Sequence, residues 1–182
     1  SQHDLSLKHQ EWLVKNFSNV EAYTVVLDDL FETFKDTMSN FDNEHGMANS
    51  RARIRMTALY QVAAANKGIV VGTGNKVEDF GVGFYTKYGD GGVDISPIAD
   101  CNKTEVWEIG KSINILQKII EAAPTDGLWD DGRTDEGQLG LKYAELEEAM
   151  SNINSINREK YEKIRKMNLH KMEPIPVCKI PN

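Results

Sequence analysis

Thr73, Glu78 and Lys87 stand in one run, GTGNKVEDFGVGFYTKYGDGGVD (72–94), which mixes a hydroxyl, a carboxylate and an ammonium with seven glycines. The run is too rich in glycine for a helix and too irregular for a strand. Glycine lets a backbone approach a ligand closely, and Thr73 can donate from its hydroxyl. A tight strand-to-helix turn explains Gly72-Thr73-Gly74 equally well. Glu78 follows Thr73 by five residues. A carboxylate beside a phosphate site suits Mg²⁺, which takes one or two carboxylates plus phosphate oxygens. The plainer reading of Glu78 is a solvated acid in the first turn of a helix, favoured by the helix dipole. Lys87 can meet a phosphate or carboxylate as a mobile point charge, or stand by chance in a surface loop.

Four other places offer charge. Arg51, Arg53 and Arg55 share one predicted helix. Arg51 and Arg55 lie four apart on one face, and Arg53 points roughly opposite, so the three cannot grip one ligand. A charged solvent face accounts for two of them. Lys103 opens a predicted helix, where the N-terminus already favours anions, although helical lysines are mostly solvated. PTDGLWDDGRTDEGQLG (124–140) is a long loop of the kind used as a lid. His170–Lys171 precedes a proline-rich end, and as a dipeptide reads as a surface pair.

The elements that must position these groups follow from periodicity. Residues 1–16 read as a helix capped by Asp4, with Leu5, His9, Trp12 and Leu13 at helical spacing. AYTVVL (22–27) reads as a buried strand. A helix follows from Asp28, with Leu30, Phe31 and Phe34 on one side. After a polar loop (42–47), a long helix is expected over 48–66, with Gly68 as its C-terminal cap. IVVG (69–72) is the next buried strand, and 95–98 another short one. Helices are expected over 102–112, 117–122, 143–150 and 157–167. EPIPVCKIPN (173–182) has three prolines and cannot be helix. Strand, helix, helix, strand at these lengths predicts an α/β fold with parallel layering, whose ligands sit at the carboxyl ends of the strands.

Composition narrows the classes. With 182 residues, one domain is expected. The net charge of -7 argues against broad nucleic-acid binding. No apolar run approaches membrane-spanning length, and no signal peptide is visible. Two cysteines far apart, Cys101 and Cys178, give neither a disulfide framework nor a zinc spacing. A reducing cytoplasm is the simplest compartment.

Taken together, RARIRM (51–56), GTGNKVE (72–78), YTKYGDGGVD (85–94), PIADCNKTEV (97–106), APTDGLW (123–129), TDEGQLG (134–140) and HKMEPIP (170–176) resemble the ammonia-dependent NAD⁺ synthetases. Order and spacing follow that family from Arg51 to the C-terminus. The tyrosine-lysine-tyrosine loop is similar to the ammonia-using branch rather than the glutamine-using one. The resemblance implies a three-layer α/β/α fold of the adenine-nucleotide α-hydrolase-like type with a parallel sheet, a homodimer, and a two-step ligase. ATP would adenylate the nicotinate carboxylate of deamido-NAD⁺, and ammonia would then displace AMP. Carried over residue by residue, Thr73, Lys103 and Thr125 would contact ATP, and Glu78 would bind Mg²⁺. Arg53, Lys87, Asp94, His170 and Lys171 would contact deamido-NAD⁺, and the loop 124–140 would close over the site.

Two departures accompany the resemblance. One residue more than the family pattern separates Glu78 from Lys87, leaving 79–83 without roles. The family's Ser-Gly-Gly-x-Asp-Ser phosphate loop does not occur in these residues. The expectation is therefore a single NAD synthase domain over 1–182, incomplete at its N-terminus, that is nearly inactive alone. Two alternatives stay open: another ATP-pyrophosphatase with a different substrate, and a non-catalytic dinucleotide-binding fragment.

Overall fold

The computed structural model describes residues 2–129 and 131–180. Eight α-helices are formed among them: α1 (Gln2–Asn16), α2 (Asp28–Thr37), α3 (Glu44–Ala65), α4 (Lys103–Ser112), α5 (Gln117–Ile120), α6 (Asp135–Leu139), α7 (Tyr143–Ser151) and α8 (Arg158–Met172). A π-helical turn, Lys76–Val82, lies between α3 and α4.

The helix ends show why the boundaries fall where they do. Asp4 sits inside the first turn of α1 rather than capping it, where its charge still suits the dipole. The helix α3 begins four residues earlier than its apolar pattern suggests, inside the expected loop, because Asn43 caps it by accepting from Gly46 N at 2.7 Å. It ends in a Schellman turn: Lys67 N donates to Ala64 O and Gly68 N to Ala63 O. The left-handed position is taken by Lys67, with φ 54°, and not by Gly68. On α2, Phe31 is buried and Leu30 is 55% exposed, so one face is narrower than expected. The helix α8 runs five residues past the expected 167, which brings His170 and Lys171 onto its last turn.

The expected strands take a reduced form. Val71 and Ile95 form a parallel bridge, with Gly72 N donating to Ile95 O at 2.7 Å and Asp94 N to Val70 O at 2.9 Å. That is the pairing expected of neighbouring strands in a parallel sheet. Beyond Ile95, residues 96–98 turn into a tight loop, with Ala99 N donating to Ser96 O. The segment 22–27 is not a buried strand: it joins no ladder among the described residues, and Tyr23, Val25 and Val26 are more than half exposed. A strand forms only where a neighbour takes its main-chain bonds.

The core lies beneath the π-helical turn. Val77, Val82, Leu139, Leu141, Tyr143, Leu146, Ala149 and Tyr161 form one buried cluster, with Phe84, Trp107, Met150 and Ile164 packed against it. The π-helical turn, α7 and α8 pack together around it. The π-helical turn, 76–82, overlaps the stretch after Glu78 in which an additional residue is expected. A π-turn winds more residues per turn than an α-helix, so an inserted residue is absorbed without unwinding its neighbours. The turn ends at Gly83, with φ 67°.

Candidate active site

Asn75 builds the site from its base. It is 1% exposed, and its Oδ1 accepts from Val77 N and Glu78 N, capping the π-helical turn. Its Nδ2 donates to Glu78 Oε2 at 2.6 Å. Glu78 Oε1 accepts from Lys103 Nζ at 2.9 Å and from the Tyr143 hydroxyl at 2.5 Å. Lys103 is the first residue of α4, whose capping box pairs Asn102 with Glu105. Two expected site residues 25 positions apart, Glu78 and Lys103, are thus in direct contact. Glu78 is a half-buried, directed carboxylate and not a solvated acid.

Acids crowd this region. Asp135, at the start of α6, is 6% exposed. Its Oδ2 lies 3.2 Å from the Tyr143 hydroxyl, and its Oδ1 has no hydrogen-bond partner among the described residues. Burial and then the charge of Glu78 push the Asp135 carboxyl up to about 6. Burial first, then Glu78 and Asp90, do the same to Asp79, also to about 6. A Cβ on Gly74 would run into the Asp79 carboxylate, so this glycine makes room for a side chain of its own chain.

A cavity of about 430 Å³ is lined by Ala52, Arg55, Met56, Val71, Gly72, Thr73, Asp90, Val93, Asp126 and Leu128 among others. Thr73 therefore faces the residues that follow Thr125 in the long loop. That loop is not free. Arg51 Nη1 donates to Leu128 O at 3.0 Å and Arg55 Nη2 to Gly127 O at 3.2 Å. Asp126 accepts from Leu128 N, Trp129 Nε1 and Gln138 Nε2. Arg51 and Arg55 do share a face, and that face clamps the loop, with Arg51 half-buried and Arg55 still exposed. Burial, with Arg51 nearby, holds the Arg55 guanidinium below its usual range.

Arg53 points elsewhere, as helical geometry requires. Its Nε donates to Lys87 O at 3.3 Å, and Lys87 Nζ donates to His170 O. Three of the expected dinucleotide contacts, Arg53, Lys87 and His170, are thereby joined. Lys171 stands next to them but spends two N–H groups on Gly83 O at 2.9 Å and Tyr85 O at 2.8 Å. Burial lowers its pKa. It also lines a second, smaller cavity with His45, Asn49, Tyr85, Thr86, Asp126 and Trp129. Asp94 is the outlying member. Its Oδ2 accepts from Val70 N at 2.7 Å and its Oδ1 from the Tyr60 hydroxyl at 3.2 Å, so it pins the parallel bridge.

The donor set can be compared with what Mg²⁺ needs. Among the described residues, no three of His, Cys, Asp and Glu converge on one point. A hard cation held by Glu78, substrate phosphates and water fits that arrangement, because Mg²⁺ keeps most of its ligands from outside the protein. Glu78 Oε2 carries one bond, from Asn75, and keeps an acceptor direction for it. Sequence reasoning missed Asn75, Asp135 and Tyr143. Asn75 had a signal: a capping residue before a short helix with acids in its first turn. Tyr143 had none, since an aromatic at helical spacing reads simply as core.

The chain is similar to known proteins. The sequence profile of the family described as NAD synthase matches residues 1–180. An NH(3)-dependent NAD(+) synthetase of Carboxydothermus hydrogenoformans is 39% identical over 139 residues, covering 74% of this chain and 56% of that protein. The Archaeoglobus fulgidus enzyme of the same name is 38% identical over 167 residues, covering 88% and 66%. The chain spans about half the length of the first of these. Among solved structures, NMN synthetase from Francisella tularensis superposes with a TM-score of 0.88 at 30% identity, covering 98% of this chain and 73% of that one. An NH3-dependent NAD synthetase from Campylobacter jejuni gives 0.66 at 21% identity, covering 88% and 67%. The fold is the α/β, adenine-nucleotide α-hydrolase-like one of these enzymes, as expected.

Proposed function

Because the chain belongs to the NAD synthase family, we propose that the complete protein is an ammonia-dependent ligase that converts deamido-NAD⁺ to NAD⁺ with ATP. The observation that carries this reading is the direct contact of Glu78 with Lys103, together with Thr73 lining a cavity that the long loop also borders. A carboxylate oxygen is a poor leaving group. Attack of the nicotinate carboxylate on the α-phosphorus of ATP forms an acyl-adenylate and releases pyrophosphate. Ammonia then attacks the acyl carbon, AMP leaves with the bonding pair, and ammonia loses a proton to give the amide. Splitting the reaction this way replaces one hard step by two easier ones.

Each side chain has a part in this. Glu78 would hold Mg²⁺, which when bound neutralises charge on the departing phosphates. Lys103 and Thr73 would bind ATP phosphates, with Thr125 contributing from the loop. Arg53, Lys87, Asp94, His170 and Lys171 would receive the dinucleotide, with Asp94 also holding the parallel bridge. The segment 124–140, which is a loop only as far as helix α6 (Asp135–Leu139), would exclude water from the adenylate. Residues 1–182 would be one NAD synthase domain without the family's phosphate loop. The protein would act as a homodimer in the cytoplasm, in keeping with the absence of any membrane-spanning helix among the described residues. Incubating the complete protein with ATP, deamido-NAD⁺, Mg²⁺ and ammonium should yield AMP and NAD⁺ in equal amounts. No AMP would sink the reading.

A second reading is supported by the close superposition on an NMN synthetase. The same chemistry on nicotinate mononucleotide would make NMN. Six relatives named NH(3)-dependent NAD(+) synthetase, at 38–40% identity, favour NAD⁺ as the product. Comparing kcat/KM for the two nicotinate substrates decides between them.

A further inference from the structure

Tyr143 is 1% exposed, and its ring belongs to the core beneath the site. Trp107 packs edge-on to it at 6.0 Å, and its main-chain N–H donates to Glu136 Oε1 at 3.0 Å. The ring is therefore fixed on its faces and at its backbone. Phenylalanine would fill the same space, and a buried hydroxyl is costly unless it has a partner. The partner is Glu78: the hydroxyl carries one hydrogen, and the 2.5 Å contact to Oε1 takes it. Asp135 Oδ2, at 3.2 Å, faces the phenol oxygen from the other side.

We infer that Tyr143 is a positioning residue: with Asn75, it holds the Glu78 carboxylate in the orientation in which it meets the metal. The inference rests on the reading of Glu78 as the metal-facing carboxylate. Lys103 cannot serve this purpose throughout, because the same ammonium is wanted by the ATP phosphates. Asn75 on Oε2 and Tyr143 on Oε1 are uncharged donors from rigid surroundings, and of the two acceptors near the Tyr143 hydroxyl Glu78 is the closer. They keep the carboxylate plane in place when Lys103 turns to substrate. Outer groups of this kind typically change metal affinity or activity 10- to 100-fold when removed.

The test uses the complete protein with α,β-methylene-ATP, which cannot release pyrophosphate, and Mn²⁺ binding followed by electron paramagnetic resonance. Tyr143→Phe should weaken Mn²⁺ binding about tenfold or more and lower kcat by a similar factor, with a smaller change in KM for deamido-NAD⁺. Leu146→Val is the control for core damage. Leu146 is fully buried in the same cluster as Tyr143, and its aliphatic side chain has no hydrogen bond to offer Glu78, so this variant should lower Tm while leaving Mn²⁺ affinity within twofold. Wild-type Mn²⁺ affinity in Tyr143→Phe, alongside its loss in Glu78→Ala, would overturn the inference and leave the reading of Glu78 intact. Unchanged Mn²⁺ binding and amidation in Glu78→Ala would overturn both.

Discussion

At Asp135 the cost of building an acidic site shows directly. Its carboxyl is raised to about 6 by burial and by Glu78, against about 3.9 in an unfolded chain. The folded state therefore holds the proton more tightly. The stability this contributes is fully present below about pH 4 and is lost as pH rises through 6. A shift of this size corresponds to about 3 kcal/mol between those limits. Asp79, raised by burial to about 6, titrates in the same window. Asp135→Asn carries no charge at any pH, and its amide can still donate to the Tyr143 oxygen. Urea midpoints at pH 4.5 and 7.5 should differ less in this variant than in the parent; an unchanged difference would show that Asp135 titrates normally. Asn75→Ala should cost about 1–3 kcal/mol in the same measurement, since it removes both the cap and a partner of the Glu78 carboxylate. At this scale sequence reasoning identified the charged partners, Glu78 and Lys103, but not the neutral groups that aim them. Charged residues stand out in a motif, whereas a buried tyrosine looks like any other core aromatic.

Among the elements, α8 does most to shape the site. Arg165, Asn168 and Lys171 recur every three residues along it. They donate to the carbonyls of Phe80 and Gly81, of Val82, and of Gly83 and Tyr85 in turn. The end of a helical turn leaves carbonyls without partners, and one face of α8 supplies them. Gly83 has a left-handed φ, and a Cβ there would come within 2.6 Å of Asn168 Cβ, so the packing of the two elements depends on it. The α3 terminus offers a simpler test. Lys67 takes a left-handed conformation in its Schellman turn, which costs an L-residue with a side chain about 1 kcal/mol. Lys67→Gly should raise Tm by roughly 2–4 °C in differential scanning calorimetry; a fall would mean that the lysine side chain has a role of its own. The separation of Arg53 from Arg51 and Arg55 was legible in the spacing. That the latter pair clamps the long loop was not, because periodicity tells which face a residue occupies but not what will pack there.

For the whole molecule, the telling feature is apolar surface left open. Tyr23, Val25 and Val26 are 57%, 55% and 76% exposed along a segment that joins no helix or ladder, and Ile69 and Val71 are 59% and 53% exposed near the bridge. Extended backbone without a ladder partner is a template for pairing with another chain, and apolar patches of this kind mark covered interfaces. The 182 residues alone should therefore associate beyond a dimer at micromolar concentration in sedimentation velocity, and Val26→Lys should reduce this. A well-behaved monomer or dimer that binds no apolar dye would contradict the prediction.

The amino-acid order alone determined the family resemblance, most of the helices and the positions of the charged site residues. These follow from local physics: helical spacing, caps, proline and glycine. The tertiary structure decided the rest. It joined Glu78 to Lys103, put Tyr143 and Asp135 behind them, turned Arg51 and Arg55 onto the loop, and left 22–27 without a ladder. Each of those outcomes depends on a partner distant in sequence, and a hydrogen bond or a strand exists only when that partner is in place.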